Sequence, residues 1–542
     1  MMLADAAFTY VPGGADWLRI LPELVVLATA LLVLLADLTG GPGRRGWLAV
    51  VGLIGVLAAV VATVYLYVNG GQGTAFFGMM SADDTALFAD LIVLFAAGAG
   101  LLLSPGYIER QGVRQEGEYY TLLLIAALGM MLMASAGNLM IIFVGLEVLS
   151  LALYILSAYV VARPRSQEAG LKYFILSSFA SAFLLYGMAL TYGSTGTTSL
   201  AGIRAFVEAH PLQPTAGFGP LLLAGLGLMA VGFCFKVSAI PFQAWTPDVY
   251  VGAPTSVTAF MSVGAKVAAF VAMARVFMVA LHVEAGQWVP VLWAVAVLTM
   301  IGGNLLAVSQ RDVKRMLAYS SVANAGYILV AVVTNTQAAL ASLLVYLAAY
   351  AVMNLGAFAV VLAVERNDGL GTTLDDFAGL ARRRPMLAFS MLVFLCALAG
   401  IPPTVGFTAK FYVFYAAVRA NHLELAIIGL VTSILGMFYY LRVVWSMYFS
   451  EPRPASTTPF VAAPATVSAP PATIPAGGVA VAVAEPQAAS TAVLSAPAEE
   501  LPKLTPGTSI VLALCAVLTL LLGILPSPLV NLATQGAAGL LR

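Results

Sequence analysis

Apolar residues run along this chain in unbroken blocks, and a helix needs about 20 consecutive apolar residues to cross the hydrocarbon of a bilayer. Fourteen blocks can be followed, near 17–38, 47–68, 84–104, 120–137, 138–162, 170–192, 218–241, 254–281, 289–308, 316–334, 337–364, 386–418, 422–449 and 508–533. The long stretch 120–162 divides at the Gly137–Asn138 turn. Membrane barrel strands alternate polar and apolar residues over about 10 positions, which these blocks do not. The pattern predicts an all-α polytopic membrane protein.

Composition narrows the choice. Hydrophobic residues make up 61% of the chain and charged residues 9%, with mean hydropathy +0.96, whereas a soluble domain carries roughly 25% charged residues. That excludes a large soluble enzyme. Three cysteines in 542 residues exclude a disulfide framework. A net charge of zero without runs of like charge leaves no electrostatic footprint for nucleic acid.

Lys and Arg set the orientation. With the N-terminus outside, the inner loops collect most of them, from Arg44, Arg45, Arg110 and Arg114 to Arg382, Arg383 and Arg384, and the outer positions keep only Arg19, Arg204, Arg419 and Arg542. An even number of crossings then places both termini outside. Residues 1–16 contain Asp5 and Asp16 and no Lys or Arg, unlike a signal peptide, so the first block reads as a retained span. Residues 451–506 hold 11 of the 28 prolines, which predicts a disordered inner linker before the last span. The polar stretch 365–385, ending in Arg382–Arg384, reads as a surface segment anchored at the membrane edge.

The charges left inside the spans carry the functional signal. Four of only six lysines, Lys172, Lys236, Lys266 and Lys410, fall within spans, and Glu147 joins them. Left unpaired, five such groups would cost on the order of 12–17 kcal/mol on insertion scales. They persist only by pairing, neutralising or lining wet cavities. Lysine gives up its proton on burial far more readily than arginine, so lysine at these depths predicts proton loading. Arg275 and Arg442, nearer span ends, read as snorkelling, and Glu23, Asp37, Asp90 and Glu424 as interfacial. The three histidines, His210, His282 and His422, fall at outer ends and read as solvated.

Two spans are interrupted by proline near a lysine: GFCFKVSAIPFQAWTPDVY, with Pro241 after Lys236, and CALAGIPPTVGFTAKFYVFY, with Pro402 and Pro403 before Lys410. Irregular backbone at membrane depth is tolerated only where it is buried in protein or lines a wet cavity. The breaks are five spans apart, the arrangement expected of two inverted five-helix repeats. The predicted organisation is three N-terminal spans (1–119), a first repeat (120–281), an inverted second repeat (282–449), an Ala/Pro-rich linker (450–507) and a last span (508–542). Gln243, Asn304, Tyr319, Ser320, Ser321, Asn324, Tyr346, Tyr350 and Asn354 lie in or at the ends of spans and are candidate bridges between the lysines. Cys234, Cys396 and Cys515 stand alone, and neither a P-loop nor a GxGxxG in a βαβ setting occurs. No flavin, iron–sulfur cluster or nucleotide is expected on this chain.

Four strings carry a family resemblance. SQEAGLKYFILSSFASAFLLYG resembles an S-x-E-A-x-x-K-Y-F segment; FKVSAIPFQAWTPDVYVGAPTSVTAFMSVGAKVAAF, QRDVKRMLAYSSVANAGYILV and LAGIPPTVGFTAKFYVF resemble three further signatures. All four are similar to the antiporter-like membrane subunits of respiratory complex I, the bacterial NADH–quinone oxidoreductase, and most of all to their N-type branch. The resemblance covers about residues 20–450 and the final span. It implies fourteen spans with inverted repeats, and proton pumping through a mid-membrane chain of charges. By motif, Glu147 and Lys236 would be the coupled pair, Lys266 the central relay, Lys410 the outlet-side lysine, and Lys172 the lysine of the K-Y-F segment. It further implies a bacterial inner membrane, other membrane and peripheral subunits as partners, and NADH, FMN, iron–sulfur clusters and quinone on those partners. Gln243 and Asn324 stand where the family often has histidine; both keep hydrogen bonding and lose titration near neutral pH. The linker is longer than the family pattern. The rival readings are a cation/proton antiporter subunit, a membrane-bound hydrogenase subunit, and a structural membrane subunit whose charges only hold helices together.

Overall fold

The computed structural model describes residues 12–39, 46–113, 116–215, 217–366, 369–451 and 502–541. Almost all of the proline-rich linker predicted at 451–506, and with it Arg44, Arg45, Arg114 and Arg453, lies outside the described residues.

The chain is a helical bundle. In order the helices are α1 (Gly14–Arg19), α2 (Leu21–Thr39), α3 (Trp47–Val68), α4 (Asp84–Arg110), α5 (Glu116–Ala134), α6 (Leu139–Ser157), α7 (Pro164–Thr195), α8 (Leu200–Ala209), α9 (Gly219–Lys236), α10 (Trp245–Gly252), α11 (Thr255–Met273), α12 (Ala285–Val308), α13 (Val313–Thr334), α14 (Gln337–Val364), α15 (Leu380–Arg383), α16 (Pro385–Ala399), α17 (Val405–Arg419), α18 (Leu423–Phe449), α19 (Pro506–Ile524) and α20 (Ser527–Leu541). A small antiparallel hairpin, β1 (Gly73–Ala75) and β2 (Met80–Ala82), joins α3 to α4. Among the described residues, thirteen helical stretches are long and apolar enough to cross a membrane. The pair α16 and α17, each too short alone, makes the fourteenth.

Burial sorts these helices into a centre and a rim. The helix beginning with α11, together with α13 and α14, is enclosed on almost every side, whereas α2, α3, α7, α12, α18 and α19 present broad apolar faces outward. A helix apolar all round is stable only where neighbours or lipid cover it, and the three central helices carry Lys266, Ser320, Ser321, Asn324, Tyr327, Tyr346 and Tyr350. Neighbouring helices approach closely where glycines meet: a Cβ on Gly129 of α5 would lie 2.9 Å from the Gly145 carbonyl of α6, the small-residue contact that membrane helices favour.

The expected breaks are present. The helix α9 stops at Lys236, and the chain runs through Ser238, at φ +66, and Pro241 before α10 begins. The helix α16 ends on Gly400 at φ +85, and α17 starts after Pro403. The division at Gly137–Asn138 also holds, with the Asn138 side chain capping α6 by accepting from the Met140 backbone N–H at 2.8 Å.

Three expectations need correction. The final block does not form one span to 533: the helix ends at Ile524, because Pro526 and Pro528 follow, and α20 folds back against α4 and α14. There the Thr85 hydroxyl donates to the Gly536 carbonyl at 2.7 Å. Arg275 does not snorkel; it is buried and forms an ion pair with Asp83 at 2.7 Å. Glu23 and Asp90 are likewise buried rather than interfacial.

Candidate functional site: a row of buried lysines

Lys236, Lys266 and Lys410 are 3%, 2% and 6% exposed, and each is met by neutral groups. Lys236, the last residue of α9, donates to Ser150 Oγ at 2.7 Å and to the Tyr173 hydroxyl at 3.2 Å, with its Nζ 5.3 Å from the Tyr173 ring centre. Lys266, midway along α11, donates to Ser321 Oγ at 2.6 Å and to the Ser321 carbonyl, 5.6 Å from the Tyr350 ring centre. Lys410 on α17 donates to the Leu398 carbonyl at 2.9 Å, the Ala399 carbonyl at 3.1 Å and Ser433 Oγ at 2.7 Å, 4.9 Å from the Tyr327 ring centre. The pattern repeats three times: a serine hydroxyl accepts and a tyrosine ring lies within about 6 Å of the ammonium.

A helix break explains the Lys410 environment. The last carbonyls of a helix lack intrahelical donors and carry partial negative charge. Lys410 turns back onto the freed carbonyls at the end of α16. Gly400 makes room for it, since a Cβ there would lie 2.9 Å from Lys410 Cδ. At the other break Gln243 sits in the turn between α9 and α10 with its side-chain oxygen buried and without a hydrogen-bond partner. The structure therefore does not bring Gln243 into the bonded row.

Glu147 and Lys236 each bond to a hydroxyl rather than to one another. Glu147 accepts from Ser181 Oγ at 2.5 Å, and Lys236 holds Ser150, one turn further along α6. Lys172 is not part of the row. Its side chain is 41% exposed and pairs with Glu168 at 2.7 Å and Asp248 at 2.9 Å. Its neighbour Tyr173 faces inward onto Lys236, because consecutive helical residues point in directions about 100° apart.

Between Lys266 and Lys410 the polar groups link up. Tyr350 donates to Ser321 Oγ at 2.8 Å. On the next residue, Ser320 Oγ lies 2.5 Å from the Tyr440 hydroxyl. Tyr440 packs on Tyr439, which donates to Asn304 Oδ1 at 3.1 Å, and Asn304 donates to the Tyr327 hydroxyl at 3.0 Å, beneath Lys410. Asn324 is held in the same layer, donating to the Ser320 carbonyl at 2.8 Å and accepting from Tyr346 at 2.7 Å. From Lys236 to Lys266 the connection is aromatic: Tyr173 stacks on Trp245 at 4.6 Å, and Trp245 meets Tyr250 edge-on at 6.1 Å.

Sequence reasoning missed Ser150, Ser433, Tyr173, Tyr327, Tyr439 and Tyr440. Ser150 was detectable, three residues after Glu147 and hence on the same helix face. Ser433 and the tyrosines reach the lysines across helix pairs far apart in sequence and had no local signal.

The chain is similar in sequence and fold to known proteins. The NADH:quinone oxidoreductase/Mrp antiporter transmembrane family matches residues 136–436. NADH-quinone oxidoreductase subunit N of Trichlorobacter lovleyi is 48% identical over 68% of this chain and 74% of its own length. Subunit N 1 of Herpetosiphon aurantiacus is 44% identical over 71% of this chain and 79% of its own. Among solved structures, a chain of respiratory complex I from Thermus thermophilus with bound Aureothin is 30% identical, with TM-score 0.72, and the match covers 95% of this chain and 99% of that one. A chain of the Mrp complex from Dietzia sp. DQ12-45-1b, 23% identical, shares the fold with TM-score 0.78 over 97% of this chain and 98% of its own.

Proposed function

The chain belongs to the NADH:quinone oxidoreductase/Mrp antiporter membrane family, and from that premise we propose that it is the proton-translocating subunit N of a bacterial NADH–quinone oxidoreductase. The carrying observation is the row of buried lysines with neutral partners. An ammonium fixed by a carboxylate would stay charged, whereas one held by a serine hydroxyl and a tyrosine ring has little to lose by releasing its proton. Lys236, Lys266 and Lys410 are the proton-carrying groups, and Glu147 is the acid that biases Lys236. When Lys236 leaves Ser150 for Glu147, the pair closes and the charge stays; when it returns, the proton can pass toward Lys266. Asn324 holds part of the hydrogen-bonded layer, and Gln243, with a free oxygen at the first break, is positioned to hold water. Lys172, paired at the edge with Glu168 and Asp248, positions the α7 end that carries Tyr173.

The protein takes part in the oxidoreductase as a membrane subunit, with other subunits of the complex as partners. NADH, FMN, iron–sulfur clusters and quinone belong on those partners, a reading supported by three separate cysteines and by the lack of nucleotide motifs in the sequence. Residues 120–281 and 282–449 are proposed as inverted repeats around the two breaks, and the charge asymmetry supports an inner-membrane protein with both termini outside.

The experiment is Lys236→Ala and Lys410→Ala in the assembled complex, reconstituted in vesicles. Quinone reduction accompanied by reduced proton uptake supports the proposal; pumping at the wild-type level with both variants assembled contradicts it. Cation flux through vesicles containing this chain alone would instead favour an independent cation/proton antiporter.

A further inference from the structure

A second group of charges lies apart from the lysine row, at the end of the bundle where the chain begins. Arg275 sits on a π-helical turn, Ala274–Ala280, that continues α11, nine residues beyond Lys266 and therefore about 13 Å along the axis. Its guanidinium forks onto Asp83, with Nη1 2.7 Å from Oδ2 and Nη2 2.8 Å from Oδ1, and its Nε donates to the Ala134 carbonyl at 2.7 Å. Asp83 is also the N-cap of α4, accepting from Ala86 N–H at 2.8 Å, and takes the Ser81 hydroxyl at 2.9 Å. Three of the five N–H donors of Arg275 are thus placed on Asp83 and Ala134, and Asp83 accepts from Ala86 and Ser81 as well.

Glu23 of α2 and Asp90 of α4 have no such partner. They are 5% and 2% exposed, and both line one narrow crevice together with Arg19, Met80, Leu87 and Ser135. Glu23 Oε1 accepts from Ser135 Oγ at 3.2 Å, but Glu23 Oε2 and Asp90 Oδ1 are buried without a hydrogen-bond partner. The two carboxyls feel one another electrostatically, and Asp90 also feels Arg275 and Asp83. The packed elements bring few other charges. Arg19, the last residue of α1, donates to the Thr74 carbonyl at the rim; α3 brings Leu66 beside Leu87; α5 ends toward Ser135; and α20 faces Thr85. Two carboxylates buried in one crevice, with the Arg275 guanidinium nearby already paired to Asp83, would share too little positive charge to stay ionised together. A single proton held between them removes one charge and supplies the donor that both free oxygens lack.

We propose that Glu23 and Asp90 form a two-carboxyl site that binds one proton, at the end of the bundle reached by the helix that bears Lys266. The same crevice is lined by Arg19, which sits at the exposed rim on the hairpin, so a proton leaving the two carboxyls would pass that edge when the crevice loosens. Its service as the release station for the lysine row rests on the proposed pumping function; the proton-binding itself does not.

The test is infrared spectroscopy of the assembled complex in lipid discs at neutral pH, comparing the wild type with Glu23→Gln and Asp90→Asn. An amide has the shape of a protonated carboxyl and both variants should assemble. Each should lose the same protonated-carboxyl C=O band, and addition of sodium should leave the wild-type band in place. Retention of all protonated-carboxyl bands in both variants overturns the proposal. So does a band that moves with sodium, which would make the site a cation site. Failure of both amide variants to assemble also counts against it, since that would mean the fold needs both acids ionised. If one fails, the other still reads the shared proton. Loss of the band with unchanged pumping keeps the proton site and rejects its role in release; loss of pumping in the lysine variants alone bears only on the proposed function.

Discussion

Lys236 donates to Ser150 at 2.7 Å and not to Glu147, which lies one turn earlier on the same helix. The hydroxyl and the carboxylate therefore offer the ammonium two resting places on α6, one neutral and one charged. A proton on Lys236 is mobile in the first and locked in the second, which is the two-state element that redox-driven partners need to bias.

Ser150→Ala removes the neutral resting place. The loss of a buried hydrogen bond to a charged group costs on the order of 1–3 kcal/mol, which shifts Lys236 toward Glu147. Proton pumping should fall severalfold while assembly persists, measured as acidification per NADH oxidised in vesicles. Glu147→Gln should also slow pumping, by leaving only the neutral site.

Lys410→Arg separates charge from titration. Arginine can still reach the freed carbonyls of Leu398 and Ala399 but does not release its proton. The variant should assemble like the wild type and pump as poorly as Lys410→Ala. A wild-type pumping rate would show that Lys410 serves as a fixed charge.

Much of this site was legible from residue type and position. Lysine at mid-span is expensive wherever it stands, so Lys236, Lys266 and Lys410 announced themselves, and proline punctuates a helix regardless of its neighbours, so both breaks were visible. Lys172 looked equivalent by sequence, yet one helical step of rotation points it outward to Asp248. Arg275 was misread because its partner Asp83 lies 192 residues away, and snorkelling is the default only when no such partner exists. Glu23 and Asp90 are buried for a different reason: the hairpin and α1 cover an end that a span count leaves open. The reversal at Pro526 was lost because the apolar run continues through it.

Gly400→Ala should damage the second break. An L-residue at φ +85 costs about 1–2 kcal/mol, and the added methyl would meet Lys410 Cδ at 2.9 Å. A lower melting temperature of the complex together with slower pumping is expected. Gly78, also at positive φ but with nothing near its missing Cβ, is the control, and Gly78→Ala should leave pumping intact.

Asn324→His places a titratable ring among Ser320, Tyr346 and Tyr440. Unlike the amide it replaces, an imidazole can take up and release a proton between about pH 5 and 8. Pumping by the variant should therefore acquire an acid-side step absent from the wild type, read from rate against pH at constant NADH oxidation capacity.

The most direct measurement is the number of protons translocated per NADH oxidised by complexes carrying Lys266→Ala, since Lys266 lies between the other two lysines. A ratio below that of the wild type, with quinone reduction retained, is the predicted result. An unchanged ratio in a fully assembled complex would contradict proton passage through this chain.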